Sequence, residues 1–201
     1  GNIFNSVKNG IYYSFKHPAI SPLLLLMAFA SILARPVMEL LPAFSDSIFY
    51  MGSNALALLT SSAGLGALVA GLWLAQRRSP TGLSLISLNS AFFAGVGVLM
   101  FSVTNIIWVA SFSLVIVGFC VASLGISTQI LIQSGVEDNM RGRVLSIWGL
   151  LLRGLPAIGA LVMGWSSDFV GLRAPVIISI ILYLFLVILL MKRRNLIASL
   201  E

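Results

Sequence analysis

An all-α membrane protein with six spans is the fold class this sequence predicts, and three observations predict it. Six apolar stretches follow one another within 201 residues, each reaching or approaching the ~20 helical residues that cross a hydrocarbon core of ~30 Å. Hydrophobic residues make up 59% of the chain and charged residues 9%, too little polar surface to cover a water-soluble fold. Lysines and arginines collect in alternate connections, as the positive-inside rule describes. A membrane-spanning backbone has to satisfy its own polar groups as helices or a closed barrel, and these stretches lack the strict alternation and frequent turn signals of a barrel.

The chain opens on a polar segment without the short apolar core and small-residue cleavage site of a signal peptide. Phe4, Val7, Ile11 and Phe15 fall on one helical face of residues 3–16, with Lys8, Asn9 and Lys16 elsewhere. Residues 1–18 are therefore expected to form an amphipathic linker helix lying in the interface, its lysines near anionic headgroups. Pro18 and Pro22 punctuate the turn into the bundle. The bundle itself is expected over residues 19–194, followed by a tail at 195–201.

Span one is predicted over residues 20–41 and carries two charges, Arg35 and Glu39, with Pro36 between them. A charge at membrane depth costs at least ~2.5 kcal/mol and requires a partner or a wet cavity. The i, i+4 spacing permits an Arg35–Glu39 ion pair near the outer end, and Pro36 removes a backbone donor and kinks the helix. Span two, over 53–75, contains the small-residue run Ser61, Ser62, Ala63, Gly64, Gly66, Ala67, Ala70 and Gly71, read as a face for close helix packing. Span three, over 83–103, carries Asn89. Span four, over 106–132, is bordered by Gln129 and Gln133, amides expected to bridge helices.

Span five, over 144–165, carries Arg153 nine residues from its start, about 14 Å along the helix at ~1.5 Å per residue and so near the midplane. It either pairs with Glu39 across helices or faces a water-filled cavity that attracts an anionic group. Span six, over 175–191, is apolar on all sides and is expected at the lipid-facing periphery.

Lys8 and Lys16 precede span one, Arg77 and Arg78 follow span two, Arg141, Gly142 and Arg143 form a loop motif after span four, and Lys192, Arg193 and Arg194 follow span six. The opposite connections hold only Arg173, beside Asp46 and Asp168. Both termini and two loops are thereby expected in the cytoplasm. A net charge of +6 in this arrangement points to a lipid bilayer and away from nucleic acid. Phe49, Tyr50, Trp108 and Trp165 near the outer ends, and Tyr12, Tyr13, Trp73 and Trp148 near the inner ones, fit the same topology as interfacial aromatics.

Catalysis finds no support. Cys120 is the only cysteine and lies within span four, where it reads as a small buried thiol. It and His17 cannot assemble a metal site, and no cofactor is implied. His17 precedes the first span and Glu39 is the only intramembrane acid, which excludes serine and aspartyl intramembrane proteases. Ala63-Gly64-Leu65-Gly66 lies within a span with no lysine nearby, so it is no phosphate loop.

Several strings carry a resemblance. Gly10-Ile11-Tyr12-Tyr13 through Lys16-His17-Pro18, the segment Arg35-Pro36-Val37-Met38-Glu39-Leu40-Leu41-Pro42-Ala43-Phe44, the run ending at Gly71, and Met140-Arg141-Gly142-Arg143-Val144-Leu145-Ser146 together resemble the C-terminal half of a major facilitator superfamily transporter. The branch they resemble holds drug and siderophore exporters, including those for enterobactin and macrolides. Gly154-Leu155-Pro156-Ala157-Ile158-Gly159 is similar to the glycine- and proline-rich antiporter pattern of the superfamily, displaced onto the second half. The loop after span two is a degraded version of the family's loop, with Ala75 or Gln76 where an aspartate is expected.

The resemblance implies half of a major facilitator fold, two inverted three-helix repeats, with spans one, two, four and five bordering a cavity. It implies a half-bundle of a proton-coupled exporter of drugs or siderophore-like molecules in a bacterial inner membrane, working against a second six-helix bundle. That bundle is either an N-terminal half or a homodimer mate. Arg153, Glu39 and Arg35 are the substrate or coupling candidates, Asn89 and Gln129 are secondary, and Gly64, Gly66, Gly71, Pro156 and Gly159 serve helix packing. The rival reading is a membrane interaction module that transports nothing.

Overall fold

The computed structural model describes residues 11–14, 16–77, 79, 81–192 and 194–199. Six helices among them are long and apolar enough to cross a membrane: Ile20–Glu39, Gly52–Ala75, Leu83–Val103, Ile107–Gly135, Asp138–Val170 and Arg173–Met191. These are spans one to six, and the described residues contain no strand. The protein is an all-α membrane protein. Most of the expected amphipathic lead-in lies outside the described residues, though residues 11–14 are helical. At the other end, Arg194–Ala198 forms a short helix whose Ile197 is buried.

Span one is not a regular helix. Pro36 has no amide to give the Ile32 carbonyl, and its ring crowds that carbonyl. The ladder responds by widening into a π-turn over Ala30–Ala34, closed by the Arg35 amide donating to the Ala30 carbonyl at 2.9 Å. Such turns mark places where a helix has been re-aimed. Beyond Glu39, a separate helix Leu41–Ser47 leads through Tyr50 and Gly52, both at positive φ, into span two.

Span five differs most from its expected bounds. It runs for 33 residues, about 50 Å at ~1.5 Å per residue, and only Val136 and Glu137 separate it from span four. Arg141, Gly142 and Arg143 therefore lie on its first turns and not in a loop. Hydropathy could not reveal this, because the charged first turns of a helix emerging from lipid look like a connection. Arg141 is held there by an ion pair with Asp138 at 2.7 Å, an i, i+3 spacing that a helix brings onto one face.

The connections sort to two ends. Arg173, opening span six, donates to the Thr104 carbonyl at 2.8 Å and to Asn105 Oδ1 at 2.5 Å, tying the link between spans three and four to that between five and six. Phe101, near the end of span three, packs on Phe44 with ring centroids 4.9 Å apart and faces Phe49 at 6.3 Å, placing the first connection at the same end.

The most extensive contacts are of span two on four, three on four, three on six, one on five and one on six. Exchanging one with four, two with five and three with six returns the same set, three on six mapping onto itself, the relation expected of two three-helix repeats. Span six is peripheral on one side only: Tyr183 is fully buried, and its hydroxyl donates to the Ala91 carbonyl at 2.9 Å, while Ile178, Ile181 and Phe185 face outward. The least buried spans are two and five.

Candidate functional site

Two crossings decide where the fold is closed and where it is open. At the first, Gly66 of span two and Gly118 of span four interlock: a Cβ on Gly66 would land on the Val115 carbonyl, and one on Gly118 on the Ala63 carbonyl. Small residues here let two backbones touch. Gly64 and Gly71, expected in the same role, face open space. The reason is angular, since residues two and five positions from Gly66 at ~100° per residue point away from span four. Gly118 sits in an apolar run, and its role had no sequence signal.

At the second crossing Gly159 of span five meets span one, where a Cβ would strike the Ile32 carbonyl and the Pro36 ring. Pro156 is buried beside it. Having no amide, Pro156 leaves the Leu152 carbonyl, four residues earlier, without its helical donor. Arg35 supplies the replacement: its Nη1 donates to the Leu152 carbonyl at 3.0 Å. An unsatisfied carbonyl in a low-dielectric setting is costly, and a charged donor is among the stronger ways to satisfy it. Each helix thus carries a proline, and the neighbour's side chain or glycine lies against the carbonyl that the proline frees.

The Arg35–Glu39 ion pair allowed by spacing does not form, because Arg35 is turned toward span five. Instead Arg35, Glu39 and Arg153 line one cleft of about 490 Å³, together with Leu152, Pro156, Ala157 and Ala160. Glu39 and Arg153 are exposed, Arg35 partly so. Among the described residues Arg153 makes no ion pair with Glu39. The small side chains of Ala157 and Ala160 leave the space. Two cations and one acid give this cleft a net positive charge.

The other expected positions lie elsewhere. Asn89 and Gln129 line none of the cavities described, and neither bridges helices through a side-chain hydrogen bond among the described residues. The polar link between spans four and five is Trp148 Nε1 donating to Thr128 Oγ1 at 3.1 Å. Arg77 donates to the Thr81 carbonyl at 2.8 Å and lies 5.9 Å from the Trp73 ring, so it braces the turn after span two. Arg78 lies outside the described residues. No group of three or more metal-ligating side chains occurs among the described residues.

A family model described as a transmembrane secretion effector, of the major facilitator type, matches residues 1–199. The chain belongs to that family. No curated protein and no solved structure shows a significant match to it. Membership and the six apolar helices make this secretion-effector chain a multi-pass membrane transporter of the major facilitator kind, and point away from an enzyme.

Proposed function

We propose that this chain is a half-bundle of a proton-coupled exporter of drugs or siderophore-like small molecules, operating by alternating access. The observation that carries the reading is the single cleft shared by Arg35, Glu39 and Arg153 at the seam of spans one and five. Intramembrane charges are expensive and mark substrate or ion paths, and here three converge where each helix carries a proline. Arg153, which makes no ion pair among the described residues, is the cation for an anionic substrate group. Glu39 is the proton-responsive acid, and Arg35 couples it to the proline-containing turn of span five through the Leu152 carbonyl.

The uncovered faces of spans two and five are apolar, with Leu65, Leu68, Leu72, Ile158, Leu161 and Val162 all exposed. They are suited to a second six-helix bundle, either a complementary half or a second copy of this chain. Rocking of the two bundles would open the cleft to each side in turn. With the basic ends of the helices inward, both termini lie in the cytoplasm of a bacterial inner membrane.

Reconstituted efflux of a cationic dye and of a catechol compound, with and without a proton gradient, tests this. Gradient-driven flux that Arg153→Ala abolishes, in protein that inserts normally, supports transport. Unchanged flux with altered assembly supports the interaction module. Crosslinking in membranes separates homodimer from hetero-pair.

A further inference from the structure

Below the cleft, the same two helices form a second opening of opposite character. It holds about 270 Å³ and is lined by Leu24, Leu25, Ala28, Ile147, Leu150 and Leu151, together with Ser21 and with Ile11 and Ser14 of the segment before span one. On span one, positions 21, 24, 25 and 28 make a stripe at helical spacing before the π-turn, and 35 and 39 continue the lining beyond it; on span five 147, 150, 153, 157 and 160 make another stripe. Spans one and five run in the same direction, so the stripes face each other along one seam. Leu25 to Arg35 covers about 15 Å at ~1.5 Å per residue. Arg153 lies two residues past the groove residue Leu151 and stands where groove becomes cleft.

We infer that this seam is a head-and-tail site for a single-chain amphiphile with an anionic head, which sets the substrate class of the transport site proposed above and rests on that reading. The head, a carboxylate or phosphate monoester, sits against Arg153 with Arg35 beside it, where two guanidinium groups face a single acid. The tail lies in the groove, which contacts almost nothing polar. Taking a methylene as about the volume of a water in the liquid, ~30 Å³, the groove holds one chain of about nine methylenes. That is room for one chain and not for the paired chains of a bilayer phospholipid. Both spaces are of the order of small-molecule sites.

The test uses the full chain in nanodiscs of zwitterionic lipid and a medium-chain fatty carboxylate carrying a diazirine at its far end. Photolysis is expected to label Leu24, Leu25, Leu150 or Leu151, and the matching methyl ester is expected to label them far less. Arg153→Gln is expected to weaken labelling by about tenfold or more, the scale of a lost charge-assisted hydrogen bond. Leu150→Trp, which fills the groove, is expected to abolish it, while Ile181→Trp on the outward face of span six is expected to leave it intact and so controls for folding. Equal labelling by ester and acid overturns the inference, as does full competition by an anionic diacyl lipid. Arg153-dependent flux of dye or catechol without any label in the groove overturns it and leaves the transport reading standing. Groove labelling without flux keeps the site and overturns the transport reading.

Discussion

The crossing of spans two and four and the crossing of spans one and five are the same contact under the exchange of repeats, yet they are built for different ends. The first is closed and interlocked, with Gly66 and Gly118 each pressed on a carbonyl of the other helix. The second touches at Gly159 but is interrupted by Pro36 and Pro156, bridged by Arg35, and opened into a cleft that holds three charges. One crossing fixes the bundle and the other leaves room for a ligand. A proline within a helix frees a carbonyl, and at this crossing Arg35 satisfies the one that Pro156 frees, while a π-turn accommodates Pro36.

This contrast can be broken most severely at the closed crossing. Gly118→Val drives a branched side chain into the backbone of span two, where no side chain can yield. Overpacking costs about 1–3 kcal/mol even where side chains can shift, so this variant should lose monodisperse folded protein in size-exclusion chromatography. Gly159→Ala comes next. It meets the Ile32 carbonyl and the Pro36 ring, and an apparent loss of about 1–3 kcal/mol is expected, read as a lower thermal midpoint in detergent.

The polar bridge gives the sharper test. Arg35→Gln should cost about 1.5–3 kcal/mol, the range for a hydrogen bond to a charged group. In a Pro156→Ala background the restored amide satisfies the Leu152 carbonyl, so the same substitution should cost much less, giving a coupling of about 1 kcal/mol or more in a double-mutant cycle. Additive effects would break the account of Arg35 as the partner of a proline-freed carbonyl.

The smallest effect is expected on the open face of span two. Gly64→Ala and Gly71→Ala add a methyl to empty space and should leave stability unchanged or raise it by up to about 1 kcal/mol through helix propensity. If that face seats a second bundle, intermolecular crosslinking falls although the thermal midpoint does not.

Much of the fold was legible in the chain. The limits of span three coincide with its hydropathy limits, and spans two, four and six start or end within a few residues of theirs, because partition into lipid depends on local composition. Span five was read short, since Arg141 and Arg143 on its first turns lower hydropathy without breaking the helix. The site was legible as a set of residue types: Arg35, Glu39 and Arg153 stood out because charge at membrane depth is rare. Their arrangement was not. Spacing suggested Arg35 with Glu39, and the partner is a carbonyl 117 positions away in the chain.

What the sequence determined alone is the solvent, the number of crossings and the sorting of positive charge to one end, since each follows from transfer energies of individual residues and short windows. Tertiary structure decided which of the span-two glycines touches a neighbour, which carbonyl Arg35 satisfies, and that three separated charges share a cleft. Those outcomes depend on the rotation and crossing of helices that pack without a hydrophobic force between them, so contacts between distant residues settle them.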